Sequence, residues 1–218
     1  MNASANPTAP GGTRFPGPRA GGATLVLASA SPVRARLLGA AGIAFERKAA
    51  AVDEAEMKAA LRAEGVSPDD AATALAELKA MRVSRNSPGA LVIGADQLLV
   101  CDGEWFDKPA DRAAAAASLR ALSGRAHDLV SAACVVRDGA RLWHAVDRAT
   151  LHMRALDPAF IEAYLDAAGP PALDSVGVYQ LEALGAHLFA RIEGDYFTIL
   201  GLPLLPLLAF LREHGVSP

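Results

Sequence analysis

Residues 90–101, ALVIGADQLLVC, form the most strand-like run of this chain and are the starting point for its fold. Their aliphatic side chains predict a buried β-strand. The middle of the run is polar, however, with Asp96 and Gln97 following a Gly-Ala pair. A carboxylate buried without a partner costs several kcal/mol, so Asp96 must be paired, hydrated or functional. Asp96 is therefore the leading candidate for a site residue.

A strand, a polar turn and a helix are predicted upstream of this run. Residues 24–28 (TLVLA) are apolar, and Pro32 opens an Ala-, Leu- and Arg-rich stretch that Gly42 ends. Proline suits the first helical turn because its missing N–H costs nothing there, and Ser31 before it is a good N-cap. A helix N-terminus therefore follows directly after a strand.

This junction carries the pattern S-x-S-P-x-R, formed by Ser29, Ser31 and Arg34. Free backbone N–H groups and the helix dipole favour an anion there, and hydroxyls and an arginine fork can bind phosphate oxygens. The alternative is that Ser31 only caps the helix and Arg34 lies in solvent. The pattern on its own leaves both interpretations open.

The other predicted elements alternate between strands and helices. They are a strand at 43–48, an acidic loop at 52–56, helices at 67–85, 111–122 and 157–166, a hairpin of strands 127–137 and 141–154, a strand at 187–192, and a last helix entered at Pro203. This order predicts an α/β fold with a mixed, twisted sheet and flanking helices.

Further charged residues are candidates for a phosphate or metal site. Asp53 and Glu54 in the acidic loop could join Asp96 around a hard cation such as Mg²⁺, which prefers oxygen ligands. Alternatively they are solvated loop charges. Lys79 and Lys108 are plausible phosphate cations, although lysines are usually surface residues and Lys79 could simply compensate its helix C-terminus.

Composition excludes several classes of function. The chain has 218 residues, 52% of them hydrophobic, and a net charge of −3 with a pI near 5.9. No basic surface for a nucleic acid polymer or an anionic membrane is indicated. No apolar run approaches the roughly 18 residues of a membrane span. P-loop, G-x-S-x-G and G-x-G-x-x-G patterns are absent from the sequence.

The ends and the cysteines give three more expectations. Residues 1–22 are rich in Pro, Gly and Ala and predict a disordered leader, which leaves 23–218 as one domain. Cys101 and Cys134 lie in apolar stretches without ligand spacing, so both are expected to be core residues. We assign the histidines no role, and a reducing cytoplasm fits this cysteine content.

Several motifs together resemble the Maf family of nucleotide pyrophosphatases. They are LASASPVRARLLGAAGI, AVDEAEM, ALAELKA, VIGADQLLV, Lys108-Pro109 and YQLEALGAHLFARIEGDYFTILGLPL, in the family's order between residues 25 and 211. The resemblance implies a Maf/Ham1-type, ITPase-like fold with two lobes around a cleft. It also implies a divalent cation (Mg²⁺, Mn²⁺ or Co²⁺) and hydrolysis of a nucleoside triphosphate to its monophosphate and diphosphate.

The resemblance also implies roles for individual residues. Asp96 matches the family's proton acceptor, with a metal ligand as its competing role, and Glu54 is a second candidate ligand. The polar set expected to line the triphosphate cleft is Ser29, Ser31, Arg34, Glu54, Lys79 and Lys108.

Three positions bear on the base. Members acting on thymidine or uridine nucleotides resemble SPRR, GADT and a late Gln, whereas those acting on 7-methyl-GTP resemble SPWR, GSDQ and a late Glu. This chain has Val33, Gln97 and Glu182 at these places. Two of the three match the methylguanine type, and a carboxylate can accept from guanine N1–H and the exocyclic amine. We therefore expect a guanine-like or modified base, such as that of 7-methyl-GTP.

Other functions stay open at this point. The protein could be a pyrimidine (dTTP/UTP) pyrophosphatase, a hydrolase of another phosphoanhydride, or a nucleotide-responsive regulator of cell division or septum formation, as the family's association with division arrest suggests. As a pyrophosphatase it would limit the incorporation of noncanonical nucleotides. A homodimer is also an option.

Overall fold

The computed structural model describes residues 24–216, so the predicted leader lies outside the described residues. The strands are β1 (Leu25–Leu27), β2 (Glu46–Arg47), β3 (Leu91–Cys101), β4 (Glu104–Phe106), β5 (Ala126–Arg137), β6 (Ala140–Met153) and β7 (Phe189–Glu193). The α-helices are α1 (Pro32–Ala40), α2 (Glu54–Ala63), α3 (Pro68–Ser84), α4 (Arg112–Leu122), α5 (Pro158–Ala168), α6 (Tyr196–Ile199) and α7 (Leu204–Glu213). Two 3-10 turns cover Pro170–Asp174 and Leu184–Leu188.

The strands form one seven-stranded mixed sheet in the order β2-β1-β3-β5-β6-β7, with β4 also paired to β3. Strand β1 runs parallel to β2 and β3, and the remaining pairs are antiparallel. The predicted mixed sheet with flanking helices is confirmed. The division into two lobes stays a prediction.

Strand β3 has an opening along one edge. On that edge β1 pairs with Leu91–Ile93 and β4 pairs with Leu99–Cys101, so residues 94–98 have no strand partner there. On the other edge β3 pairs continuously with β5 from Val92 to Val100. The polar centre of the most strand-like run therefore lies where the sheet is open.

Helices cover both faces of the sheet. Helix α3 buries Ala72, Leu75 and Ala76 against Val92 and Val130 on one face. Helices α1 and α7 cover the other face, and α4 and α5 enclose a third apolar cluster around the far ends of β3, β5 and β6. Alternating side chains of β3 thus pack in different layers, as the period of two of a strand requires.

Several predicted elements need correction. The predicted acidic loop at 52–56 is wrong from Glu54 onward, because α2 begins there. Asp53 caps this helix by accepting a hydrogen bond from the N–H of Glu56 at 3.0 Å. Strand 43–48 is reduced to β2, and strand 187–192 begins only after a 3-10 turn. Helix α2 and the short elements β4 and α6 were not predicted. Both cysteines are buried and unpaired, as expected.

Gly94 lets α3 lie directly against β3. A Cβ atom at this position would overlap the carbonyl oxygen of Ala76 and lie 2.9 Å from the Cβ of Ala80. Both atoms belong to the middle of α3, which cannot retreat without losing its packing on the sheet. The glycine is thus required for the close approach that brings α3 onto the polar centre of β3.

We predict that Gly94→Ala destabilises the protein by about 1–3 kcal/mol, the usual cost of overpacking. The measurement is urea unfolding followed by circular dichroism. Gly39→Ala in α1 is the matched control, because nothing lies within 4 Å of its added methyl group. Alanine is the better helix former, so the control should be neutral or slightly more stable. Equal stability of the two variants would contradict the packing argument.

Candidate active site

The open edge of β3 leads into a cleft of about 470 Å³. Ten of the residues that the sequence indicated for substrate, metal or base line it: Ser29, Ser31, Val33, Arg34, Glu54, Lys79, Asp96, Gln97, Lys108 and Glu182. Asp53, the third carboxylate expected at a cation, instead caps α2 outside this lining. The walls come from the β1–α1 turn, α2, α3, β3, the loop after β4 and the segment 174–182. Lys58, Tyr179 and Gln180 also line the cleft and were not predicted.

A buried lysine holds two carboxylates at the centre of the cleft. The Nζ of Lys79 lies 2.6 Å from Oδ1 of Asp96 and 2.8 Å from Oε1 of Glu54. Only 7% of the Lys79 side chain and 4% of the Asp96 side chain are exposed. Lys79 is therefore neither a surface lysine nor a compensator of its helix C-terminus, and both alternatives are wrong.

Glu54 is charged at neutral pH in this setting. Partial burial alone would raise its pKa, but the ammonium of Lys79, with smaller effects of Lys58 and Arg34, lowers the pKa below its ordinary value. The carboxylate is 46% exposed at the mouth of the cleft. It can therefore face both Lys79 and an incoming ligand.

The second oxygen of Asp96, Oδ2, is buried and has no hydrogen-bond partner among residues 24–216. Such an atom needs a proton donor, a water or a cation, because an unsatisfied buried charge is costly. The described part of the chain contains no group of three or more His, Cys, Asp or Glu side chains that could jointly hold a metal. Asp96 and Glu54 fit a hard cation only if phosphates supply most of its ligands, as is usual for Mg²⁺.

Arg34 is buried, so the interpretation that it lies in solvent is wrong. Its Nε donates to the carbonyl of Gly201 at 2.7 Å, and Nη1 donates to the carbonyl of Ala95 at 3.1 Å and to Oγ of Ser29 at 3.3 Å. Burial lowers its pKa, whereas the charges of Asp96 and Glu54 raise it in part. These bonds leave Nη2 for a phosphate, so the expected arginine fork is reduced to one nitrogen.

The serines of the junction differ in position. Ser31 caps α1 by accepting from the N–H of Arg34 at 3.4 Å, as predicted. Ser29 is buried, and its Oγ accepts from the N–H of Ser31 at 3.2 Å. The turn is thus ordered by its own hydroxyls at the helix N-terminus.

Gln97 is fixed by its amide nitrogen. Nε2 donates to Oγ of Ser131 and to the carbonyls of Thr198 and Ile199, each at 3.0 Å. An amide held this way has its oxygen as the group that can still accept a bond. Glu182 is also held, because Nη2 of Arg36 lies 2.6 Å from its Oε1.

Residues 24–214 match a family model described as Maf-like protein. The chain belongs to the Maf family. A protein of Paramagnetospirillum magneticum named nucleoside triphosphate pyrophosphatase is 57% identical over 190 residues, covering 87% of this chain and 98% of that protein. A protein of Mesorhizobium japonicum named 7-methyl-GTP pyrophosphatase is 54% identical over 191 residues, covering 88% of this chain and 96% of that protein.

Among solved structures, a nucleoside-triphosphatase, dITP/XTP pyrophosphatase of Mycobacterium abscessus aligns with a TM-score of 0.37 and 21% identity. The alignment covers 61% of this chain and 75% of the Mycobacterium abscessus chain. A likeness this distant supports no inference about the Maf site. Within residues 24–216, no helix combines the length and the apolar character that crossing a membrane requires.

One wall of the Maf cleft is a segment held in a strained conformation. Val178 is fully buried with φ of 63°, a region that β-branched residues rarely adopt. Its carbonyl accepts from Oη of Tyr164 at 2.9 Å, and Oη of the next residue, Tyr179, lies 2.7 Å from Nε2 of His127. These contacts hold the segment that carries Gln180 and Glu182. Sequence reasoning missed His127, which has no motif around it.

His127 is expected to make stability depend on pH. Burial lowers its pKa from 6.5 to about 4; the charge of Asp128 raises it in part and His152 lowers it slightly. Between these values the unfolded chain binds a proton that the folded protein does not. The stability contribution of neutral His127 is therefore complete above pH 6.5 and falls with pH by about 1.4 kcal/mol per unit, down to the folded pKa.

The measurement is the free energy of urea unfolding between pH 7.5 and 4.5 in wild type and His127→Asn. The variant should be less stable at neutral pH but should lose less stability on acidification. His144→Asn is the control, since His144 is exposed on β6, and it should follow the wild-type curve. Parallel curves for wild type and His127→Asn would contradict a neutral buried imidazole.

Proposed function

We propose that this Maf-family protein is a nucleoside triphosphate pyrophosphatase, which converts a nucleoside triphosphate and water to the monophosphate and diphosphate. The observation that carries the proposal is the half-satisfied carboxylate of Asp96. Lys79 holds Oδ1 while Oδ2 is left buried in a cleft lined by cations. The names of relatives at 57% and 54% identity, nucleoside triphosphate pyrophosphatase and 7-methyl-GTP pyrophosphatase, agree with it.

Asp96 is proposed to act as the general base. Its Oδ2 accepts a proton from the attacking water, whose oxygen forms a bond to the α-phosphorus. The bond from the α-phosphorus to the oxygen that bridges it to the β-phosphorus breaks, and its electron pair leaves with diphosphate. The bond from Lys79 keeps Oδ1 in place, so the two oxygens of one carboxylate have separate tasks.

The cations of the cleft neutralise the charge that spreads over the phosphate oxygens in the transition state. Lys108, Nη2 of Arg34 and the N–H of Val33, which the two serine hydroxyls do not bind, are the groups proposed for this task. Fixed donors in a partly dry cleft stabilise such charge more than water does. Lys79 contributes by offsetting the charge of Asp96 and Glu54.

A divalent cation, when bound, would neutralise phosphate charge and order the triphosphate. The exposed carboxylate of Glu54 would hold it. Oδ2 of Asp96 would be a second ligand only in the competing role of Asp96, as metal ligand instead of base, and the activity of Asp96→Asn at high Mn²⁺ distinguishes the two roles. The cytoplasm and a homodimer stay predictions from composition and resemblance.

The base is proposed to be guanine-like or modified. Glu182 can accept from guanine N1–H and the exocyclic amine through Oε2 while Oε1 is held by Arg36. The fixed amide of Gln97 presents an oxygen as acceptor. A pair of acceptors favours a base edge with donors, which guanine offers and thymine O4 does not.

For the activity, we predict that Asp96→Asn lowers kcat by about 10²-fold or more while the protein stays folded, because the near-isosteric amide neither takes a proton nor carries ligand charge. The assay follows monophosphate and diphosphate from canonical and methylated nucleoside triphosphates with Mg²⁺, Mn²⁺ or Co²⁺. Formation of nucleoside diphosphate and phosphate, or no turnover on the whole panel, would contradict the proposal.

Asp53→Asn is the control for this experiment. Asp53 neighbours Glu54 in sequence but caps α2 outside the lining of the cleft, and asparagine caps as well as aspartate. Its kcat should match wild type. If the kcat of Asp96→Asn lies within a few-fold of the control, Asp96 is not the general base. If high Mn²⁺ restores the rate of Asp96→Asn, the result favours the role of Asp96 as a metal ligand.

For the base, we predict that Glu182→Gln weakens guanine substrates selectively, by the roughly 1.5–3 kcal/mol of a charge-assisted hydrogen bond. The measurement is kcat/KM for GTP, 7-methyl-GTP, dTTP and UTP, because ratios separate base reading from general damage. Glu193→Gln is the control, since Glu193 is likewise paired with an arginine, Arg191, but outside the cleft lining. Equal losses on all four substrates would mean that Glu182 supports the cleft without reading the base.

A further inference from the structure

We propose that Lys58 is an additional phosphate-binding residue of the cleft, which exchanges its weak contact with Asp107 for the phosphate chain of the substrate and the released diphosphate. The proposal rests on the proposed function for the identity of the ligand. Lys58 is not among the site residues that the sequence motifs indicated, and it has no part in the proposed proton transfer to Asp96.

Lys58 is a buried cation whose ammonium has too few hydrogen-bond acceptors around it. The residue is only 9% exposed, yet the one partner of its ammonium among residues 24–216 is Oδ1 of Asp107, at 3.4 Å. Charge-assisted bonds from ammonium to carboxylate are normally about 2.7–2.9 Å. An ammonium has three donors, and a buried one needs them satisfied. A ligand anion in the cleft would supply acceptors.

The position of Lys58 faces the triphosphate site. It lies four residues after Glu54 in α2, so both side chains leave the same face of the helix. Both also line the cleft, together with Lys108 from the loop after β4. The charge of Lys58 helps to lower the pKa of Glu54, behind the larger effect of Lys79. The lysine is therefore within electrostatic reach of the central cluster.

The charges of the cleft also call for another cation. Lys79 already serves two carboxylates, and three donor contacts of Arg34 go to protein groups. Lys58 and Lys108 are the lysines of the lining that lie outside the Lys79 cluster. A triphosphate needs several neutralising charges, so a buried lysine with only a long contact is suited to it.

Asp107 has a second partner that can hold it when Lys58 turns to the ligand. Nη2 of Arg62, one turn further along α2, lies 3.5 Å from its Oδ2. The Asp107 side chain is 56% exposed, so water can replace what Lys58 gives up. Moving the ammonium to a phosphate therefore strands no buried carboxylate.

The test is calorimetric titration of the full chain with inorganic diphosphate in the presence of Mg²⁺, together with kcat and KM for the preferred triphosphate. Lys58→Met keeps the apolar stem and removes the charge. We expect about a ten-fold or larger rise in the Kd of diphosphate and a matching rise in KM. Thermal unfolding reports whether the variant is folded.

Two variants separate phosphate binding from the pairing of Lys58 with Asp107. Arg62→Met removes the other partner of Asp107 outside the cleft lining, and diphosphate should bind as in wild type. Asp107→Asn breaks the same ion pair as Lys58→Met but releases the cation for the ligand, so affinity should be higher than in wild type. If Lys58→Met does not fold, Asp107→Asn decides alone, because a lysine without a role in binding would leave the affinity unchanged.

The proposal is overturned if Lys58→Met binds diphosphate like wild type, or if Asp107→Asn loses affinity as Lys58→Met does. It is also overturned if wild type binds no diphosphate. Because the titration needs no turnover, wild type that binds diphosphate through Lys58 but hydrolyses no triphosphate would leave this inference standing and reject the proposed activity.

Discussion

The ion pair between Lys79 and Asp96 is the constraint on which the rest of the site depends. Both side chains are buried, and the pair joins the middle of α3 to the middle of β3. Removing Lys79 would typically cost about 3–5 kcal/mol, because the charge of Asp96 would stay buried alone, whereas Lys79 keeps Glu54 as a partner when Asp96 is replaced. Helix α3 must therefore lie close to β3, and Gly94 is the residue that permits this approach. Glu54 then attaches α2 to the same ammonium.

The open edge of β3 explains why a carboxylate can stand in a central strand. A continuous neighbouring strand would cover residues 94–98 and leave no room for a ligand. Here β1 ends before Asp96 and β4 begins after it. Arg34 takes over part of the missing pairing by donating to the carbonyl of Ala95. Its buried guanidinium thus supports the sheet and contributes positive charge to the cleft at once.

The two walls of the cleft are fixed by different means. On the side of α2, the exposed carboxylate of Asp107 is held by two long ion pairs, to the buried Lys58 and the exposed Arg62. Ion pairs to an exposed carboxylate are weak and easily exchanged. On the side of segment 174–182, a buried tyrosine–histidine bond and a strained Val178 hold the backbone. Strain of this kind persists only where the surroundings over-determine it. The α2 side of the cleft, proposed to bind the phosphates, is therefore the more adaptable one, and segment 174–182, proposed to face the base, is the more rigid.

The sequence by itself determined the family, the alternation of strands and helices, and ten residues that line one cleft, because these signals are local: an apolar run, a cap or a short motif around Asp96 or Ser31. Only the tertiary structure decided which partners these residues have. Arg34 bonds to a carbonyl 167 residues away, Gln97 to one 101 residues away, and His127 to a tyrosine 52 residues away. A loop is predicted at 52–56 and no helix is predicted before 67, so the sequence does not indicate that Lys58 lies one helical turn beyond Glu54. Burial and pairing arise from contacts between distant segments, and a single sequence does not record which of its segments meet.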